Sequence, residues 1–180
     1  MHYRYICQIM EIKLSKDLNK NEVFRKVKTY LEQHGFEIIN SDQTRPWGGF
    51  YVISEGQSQK FIEFFFSDVE DSKKQSPGKI SPKILIVEKE KRLSWQYHHR
   101  RAELWKVIGG EVGVITSEND QETDIQIKKT TDIIKLKQGE RHRLIGLESW
   151  GVVAEIWQHT RKDKPSDEED IVRLQDDFGR

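Results

Sequence analysis

The sequence contains one cysteine, Cys7, in 180 residues. A single thiol excludes an internal disulfide and a cysteine-built metal knuckle, and a reducing, cytoplasmic setting is expected. No apolar run approaches the roughly 18–20 residues that a bilayer span requires. The opening MHYRYICQIMEIKLS holds no apolar stretch long enough for a signal peptide, so no membrane engagement is expected. Charge of one sign is not in excess either, since 30 Lys and Arg balance 30 Asp and Glu. That balance argues against non-specific nucleic-acid binding, which rests on neutralising phosphates with Lys and Arg. Any anion site must therefore be local. Walker and dinucleotide glycine patterns are missing, as are internal repeats and low-complexity segments.

What is present is large packing units in a polar chain. Apolar residues make up 35% and charged residues 33%, but eight Phe, five Tyr and five Trp can build a core at this length. One helix is expected near the start, where Val23, Phe24, Val27, Tyr30 and Leu31 recur at helical spacing. Asn19 or Asn21 would cap it and Gly35 would end it. From Ser41 to Gly49 the composition is that of a turn. Short runs rich in β-branched and aromatic residues follow. GFYVIS, KFIEFFFS and KILIV read as strands, ELWKVIGGEVGVITS as two strands about Gly109–Gly110, TDIQIKKTTDIIKLKQGERHRLIGL as two more, and WGVVAEIWQHT as another. Asp68–Pro82 reads as a polar loop and the charged tail as a short packed arm. Many close-spaced strands without intervening helices predict an all-β sandwich or barrel. The five tryptophans, Trp47, Trp95, Trp105, Trp150 and Trp157, read as packing residues, given the area that each buries.

One stretch does not fit packing alone. LSWQYHHRRAELW places Gln96, His98, His99, Arg100, Arg101 and Glu103 within eight residues, fenced by apolar side chains. Residues two apart on a strand share a face, so Gln96 and His98 point together. If the chain turns at His99–Ala102, Glu103 re-enters the same space. KQGERHRLIG places His142 just after another turn glycine. Imidazole, carboxylate and amide oxygen together suit a divalent first-row metal, and three or four of them around an open position describe a catalytic site rather than a closed structural one.

The spacing Gln96-x-His98-x4-Glu103-x6-Gly110 resembles the first cupin motif, with Gln in place of its first histidine, and GERHRL resembles the second. More narrowly, RPWGGFYVI, LSWQYHHRRAELWKVIGGEV and GERHRL followed by DEEDIVRLQDDFGR resemble, in order, the C-terminal cupin domain of type II phosphomannose isomerases. That domain usually follows a nucleotidyltransferase domain; here residues 1–44 precede it. The resemblance implies an all-β double-stranded β-helix, a jelly roll, over residues 45–180, with a short helical N-terminal extension over 1–44. It implies a metal held by Gln96, His98, Glu103 and His142, with zinc the usual ion. It also implies interconversion of an aldose phosphate and a ketose phosphate, here mannose 6-phosphate and fructose 6-phosphate. Arg100 stands where the family usually has a further histidine, Lys137-Gln138-Gly139 where it has Pro-x-Gly, and Gly146 where an asparagine is common. The ligand set is intact.

Such an isomerisation moves a proton between adjacent carbons through an enediol and needs positive charge at the developing oxyanion. Arg101, two residues from Glu103, falls on the same face and is the first candidate catalytic residue. Lys83, which matches a lysine typical of the family, is the second. Arg45 and Arg143 are candidates for binding the substrate's phosphate, although Arg143 is out of phase with His142, as His99 is with His98. Two other readings stay open: a non-catalytic cupin that binds a sugar or sugar nucleotide, and a metal cupin of different chemistry, such as an oxygenase or epimerase. Pairing through exposed sheet edges would allow a homodimer.

Overall fold

The structure, a computed structural model, describes residues 11–70 and 79–179. Cys7 and the middle of the polar loop expected at Asp68–Pro82 lie outside the described residues. Helix α1 (Lys20–Gln33) starts in a capping box. The Asn19 side chain accepts from the Glu22 N–H at 3.1 Å, and the Glu22 carboxylate accepts from the Asn19 N–H at 2.9 Å. It ends at Gly35, whose φ of 69° is the left-handed turn that glycine adopts without a Cβ clash. The stripe of Val23, Phe24, Val27 and Leu31 is fully buried, as its spacing predicts.

Strands β1 (Ile38–Asp42) and β2 (Gly48–Ile53) pair antiparallel around the turn that holds Pro46. The run expected as a strand at KFIEFFFS is instead helix α2 (Ser58–Phe65). Three consecutive aromatics on a strand would point to both faces of the sheet. On a helix, Phe61 and Phe65 fall on one side, where both rings pack within 6 Å of Phe36. A short apolar run does not by itself distinguish the two states.

The remaining strands are β3 (Lys83–Val87), β4 (Trp95–Tyr97), β5 (Arg101–Gly109), β6 (Glu111–Ser117), β7 (Gln126–Lys129), β8 (Ile133–Leu136), β9 (Arg141–Gly146), β10 (Gly151–His159) and β11 (Val172–Gln175). The stretch expected to give two strands gives three, β7, β8 and β9. They form two antiparallel sheets, ordered β1-β2-β3-β10-β5-β8 and β11-β4-β9-β6-β7. Strand β11, cut from the charged tail, pairs with β4 and so closes the second sheet beside Gln96.

The six-stranded sheet is covered on both faces, which is why KILIV is buried at every position. Ile84 and Ile86 of β3, with Val152, Ala154 and Ile156 of β10, pack under the helices. Leu85, Val87, Trp105, Val107 and Val153 face inward, against Val112, Val114 and Leu144 of the second sheet. Period-two alternation carried along this inner face places Arg101, Glu103, Glu155 and Trp157 between the sheets, at the end that the apolar core leaves unfilled.

Candidate metal centre

Three strands deliver the ligands. Gln96 sits on β4 and His98 just beyond it; Glu103 is the third residue of β5; His142 lies on β9, in register opposite Gln96. His98, Glu103 and His142 are all buried, and one donor atom from each lies within 4.8 Å of the others. His98 Nε2 is 3.2 Å from one Glu103 oxygen, and His142 Nε2 is 3.6 Å from the other. The two imidazole rings are 5.2 Å apart between centroids.

The far side of each imidazole fixes which nitrogen faces the carboxylate. His98 Nδ1 donates to the Asp170 backbone carbonyl at 2.5 Å, and His142 Nδ1 donates to that of Glu140 at 2.9 Å. Both Nε2 lone pairs are thereby turned toward Glu103. Burial lowers the pKa of both rings, to about 4 for His98, so both are neutral at ordinary pH and their contacts with Glu103 are not ion pairs. Burial alone would raise the Glu103 carboxyl. The imidazoles of His98 and His142, which are charged only in the acid range where Glu103 itself would take up a proton, and the permanent charge of Arg101 outweigh it and hold the group down at about 2. The cluster is thus two neutral imidazoles and one anion, the protonation state that a divalent cation requires.

The residues present fit a metal on one further observation. His142 Nε2 is fully buried and has no hydrogen-bond partner among the described residues. A buried polar atom left unpaired costs about 1–3 kcal/mol, and a metal ion would use that lone pair. Gln96 borders the same space, its amide oxygen accepting from the Ser94 hydroxyl at 2.6 Å.

The cluster adjoins a cavity of about 140 Å³ between the sheets. Arg101 lies in its wall with its guanidinium engaged all round. It donates to Glu103 at 2.8 Å, to the Ser166 hydroxyl at 2.9 Å, to the Asp167 carbonyl at 3.0 Å and to His98 Nε2 at 3.2 Å, and it stacks 3.8 Å over the Trp157 ring. This is a clamp on the ligands as much as a cation facing the cavity. Lys83 reaches the cavity from β3, 4.5 Å over the Trp157 ring, and pairs with Glu168 at 2.6 Å. Arg45 borders it too, with Nε 2.7 Å from Asp42.

Arg143 is not brought to this space. It is one residue out of phase with His142, so its side chain leaves the opposite face of β9, where it is buried against Glu122 at 2.5 Å and the Gln175 carbonyl at 3.2 Å. There it braces β11, away from the residues that border the cavity. His99 is exposed, beside Tyr97. All five tryptophans are buried, and Trp47 and Trp105 also border the cavity.

Three contributions were not expected from sequence. Arg173, on β11, borders the cavity from the tail. The stretch from Ser166 to Asp170 straps the ligand loop: the Asp170 carboxylate accepts from the His99 and Arg100 N–H groups and from the Ser166 hydroxyl. Glu155 is a buried carboxyl on the inner face of β10, bordering the cavity and accepting from Trp157 Nε1 at 2.8 Å. Burial pushes its pKa up to about 7, with Glu103 adding to the rise and Lys83 and Arg101 opposing it.

Two antiparallel sheets closing over a His–Glu–His cluster at one end define a cupin. The family described as Mannose-6-phosphate isomerase C-terminal matches residues 71–176, more than half of the sequence, and the chain belongs to that family. No curated protein matches it. Among solved structures it is similar to the capsular polysaccharide assembling protein CapF from Staphylococcus aureus, at 13% identity and TM-score 0.51, over 91% of this chain and 40% of that one. It is also similar to procruciferin, an 11S globulin from Brassica napus, at 11% identity and TM-score 0.51, over 77% of this chain and 30% of that one. At these identities the likeness is one of fold, and the chain spans less than half the length of either relative. Among the described residues no helix is long and apolar enough to cross a membrane.

Proposed function

We propose that the protein is a metal-dependent isomerase of sugar phosphates, interconverting mannose 6-phosphate and fructose 6-phosphate. The observation that carries the reading is the buried His98–Glu103–His142 cluster opening onto a cavity bordered by Arg45, Lys83 and Arg173. An anionic sugar fits that combination, and the family match supports the isomerase class.

Gln96, His98, Glu103 and His142 would hold the ion, and nitrogen and oxygen donors of this kind suit zinc. When bound, the ion supplies a Lewis acid for the substrate's carbonyl and adjacent hydroxyl oxygens. Arg101 holds Glu103 and His98 in place and keeps a buried positive charge beside the reacting carbons. Lys83 and Arg45 receive the phosphate, with Arg173 completing a cationic border. Glu168, largely exposed, holds Lys83 until the phosphate competes for it.

The test is a coupled assay with mannose 6-phosphate on metal-stripped and zinc-reconstituted protein. Zinc-dependent formation of fructose 6-phosphate, lost in Glu103→Gln, is the expected result. One tightly bound zinc per chain without turnover would remove mannose 6-phosphate isomerisation as the function.

A further inference from the structure

An aldose–ketose isomerase needs a group that takes a proton from one carbon and returns it to the next. Glu103 is unsuited to that task. Both its oxygens face the imidazoles, and Arg101 holds one of them at 2.8 Å. His98 and His142 turn their Nε2 atoms to the same point and donate from Nδ1. His99 lies outside the cavity wall.

Glu155 is differently placed. Antiparallel register sets it directly opposite Lys83 on one side and Trp105 on the other, so the three form a row across β3, β10 and β5. Glu103 lies in the next row, opposite Trp157. Glu155 therefore borders the same cavity as the metal cluster without belonging to it. Its carboxyl accepts from the Trp157 indole, and among the described residues no cation pairs with it, because Lys83 is held by Glu168 and Arg101 by Glu103. Burying a carboxyl without a paired cation is costly, and such groups cluster where a proton must be exchanged. Next to it, the Trp105 indole N–H is buried without a partner among the described residues and is free to donate to a substrate oxygen.

We propose that Glu155 is the catalytic acid–base group of this cavity, carrying the proton between C1 and C2 of the sugar phosphate. The assignment rests on the isomerase reading above. Its carboxylate takes the proton from C2 of the aldose. The C2–H electron pair becomes the C1–C2 double bond, and the carbonyl π pair passes to O1 as an enediolate. The carboxylic acid then returns the proton to C1, while the O2 hydroxyl proton passes to O1 and the carbonyl forms at C2. One hydrogen has moved from C2 to C1 and one from O2 to O1, and no oxidant or reductant is required. The direction of the Glu155 pKa shift agrees, since a carboxyl near neutrality serves as both base and acid. The charged groups that face it are Lys83, Arg101 and Glu103.

The experiment compares zinc-loaded wild type, Glu155→Gln and Glu155→Asp, with metal content measured for each. Isomerisation is followed alongside proton NMR of deuterium uptake at C2 in heavy water. Glu155→Gln is expected to keep its metal and its KM, and to lose about 10²–10⁴-fold in kcat together with C2 exchange. Glu155→Asp is expected to recover part of both. A Gln variant within about threefold of wild type would overturn the role of Glu155 while leaving the isomerase reading in place. A wild type that neither isomerises nor exchanges would overturn both. A second readout needs no turnover. In metal-stripped protein with carboxyl-labelled glutamate, one carbon-13 resonance, missing from Glu155→Gln, should titrate near neutrality. A resonance titrating in the ordinary carboxylate range would count against the assignment.

Discussion

His98 donates from Nδ1 to the backbone carbonyl of Asp170 across 72 residues of sequence, at 2.5 Å. The same Asp170 binds the backbone of His99 and Arg100 with its carboxylate, so ligand loop and tail form one unit. The tail therefore acts on the candidate metal site through the imidazole of His98. It selects the imidazole tautomer and holds the ring.

Asp170→Ala keeps the carbonyl that holds His98 but removes the carboxylate that pins that carbonyl to the ligand loop, and it is expected to weaken zinc binding by up to about 10–100-fold, the usual effect of disturbing the groups that orient a ligand. Competition against a chelating dye on the full chain measures this. Unchanged affinity would mean that the strap does not position His98.

Glu103→Gln should lower both metal content and stability. It removes the anion of the cluster and leaves the buried Arg101 without its charge partner, a loss of about 3–5 kcal/mol for a broken buried pair. A chain of this size shifts in melting temperature by about 2–4 °C per kcal/mol. Added zinc should raise the melting point of wild type and not that of the variant.

Lys83→Met should raise KM for a sugar phosphate and leave weak binding of the unphosphorylated sugar unaffected. Glu168→Gln should lower that KM, because it releases Lys83. Arg143→Met should leave KM unchanged and reduce the melting temperature, since Arg143 braces Glu122 and Gln175. A KM effect in Arg143→Met would restore it as a substrate residue.

Stability against pH should separate wild type from Glu155→Gln in metal-stripped protein. The folded pKa of Glu155 is raised to about 7 from 4.5, so the folded state holds its proton where the unfolded state has lost it. The stabilisation is full below about pH 4.5 and disappears as pH rises through 7. Wild type should therefore lose stability relative to Glu155→Gln across that window. His98 works in the opposite sense, with stability lost as pH falls from 6.5 toward 4, but it is common to both proteins and cancels in the difference. Chemical denaturation at a series of pH values tests this, and a constant gap would contradict it.

The parts of this molecule that were legible in its residues are those set by local periodicity. A period of two put Gln96 with His98 and Arg101 with Glu103. A period near 3.6 and an asparagine at the start marked α1, and paired glycines marked the β5–β6 turn. The residues of helix α2 read as a strand because aromatic residues favour strands in general, and only the packing of Phe61 and Phe65 on Phe36 decides otherwise. The charge of Arg143 suggests a phosphate ligand, whereas its phase on β9 places it away from His142.

Residue type and spacing, on their own, determined the strand-rich class, the separate ligand pairs and the family. They did not determine what stands beside those pairs. Glu155 lies in a strand that reads as apolar core, and nothing within a few residues marks it. Only the antiparallel register of β10 with β3 and β5 sets it between Lys83 and Trp105. The Asp170 strap and the Lys83–Glu168 pair likewise join residues 72 and 85 positions apart. Local periodicity fixes the side of a strand on which a residue lies, but the neighbour across the sheet depends on chain-distant pairing, and that pairing is chosen by burial of the whole inner face.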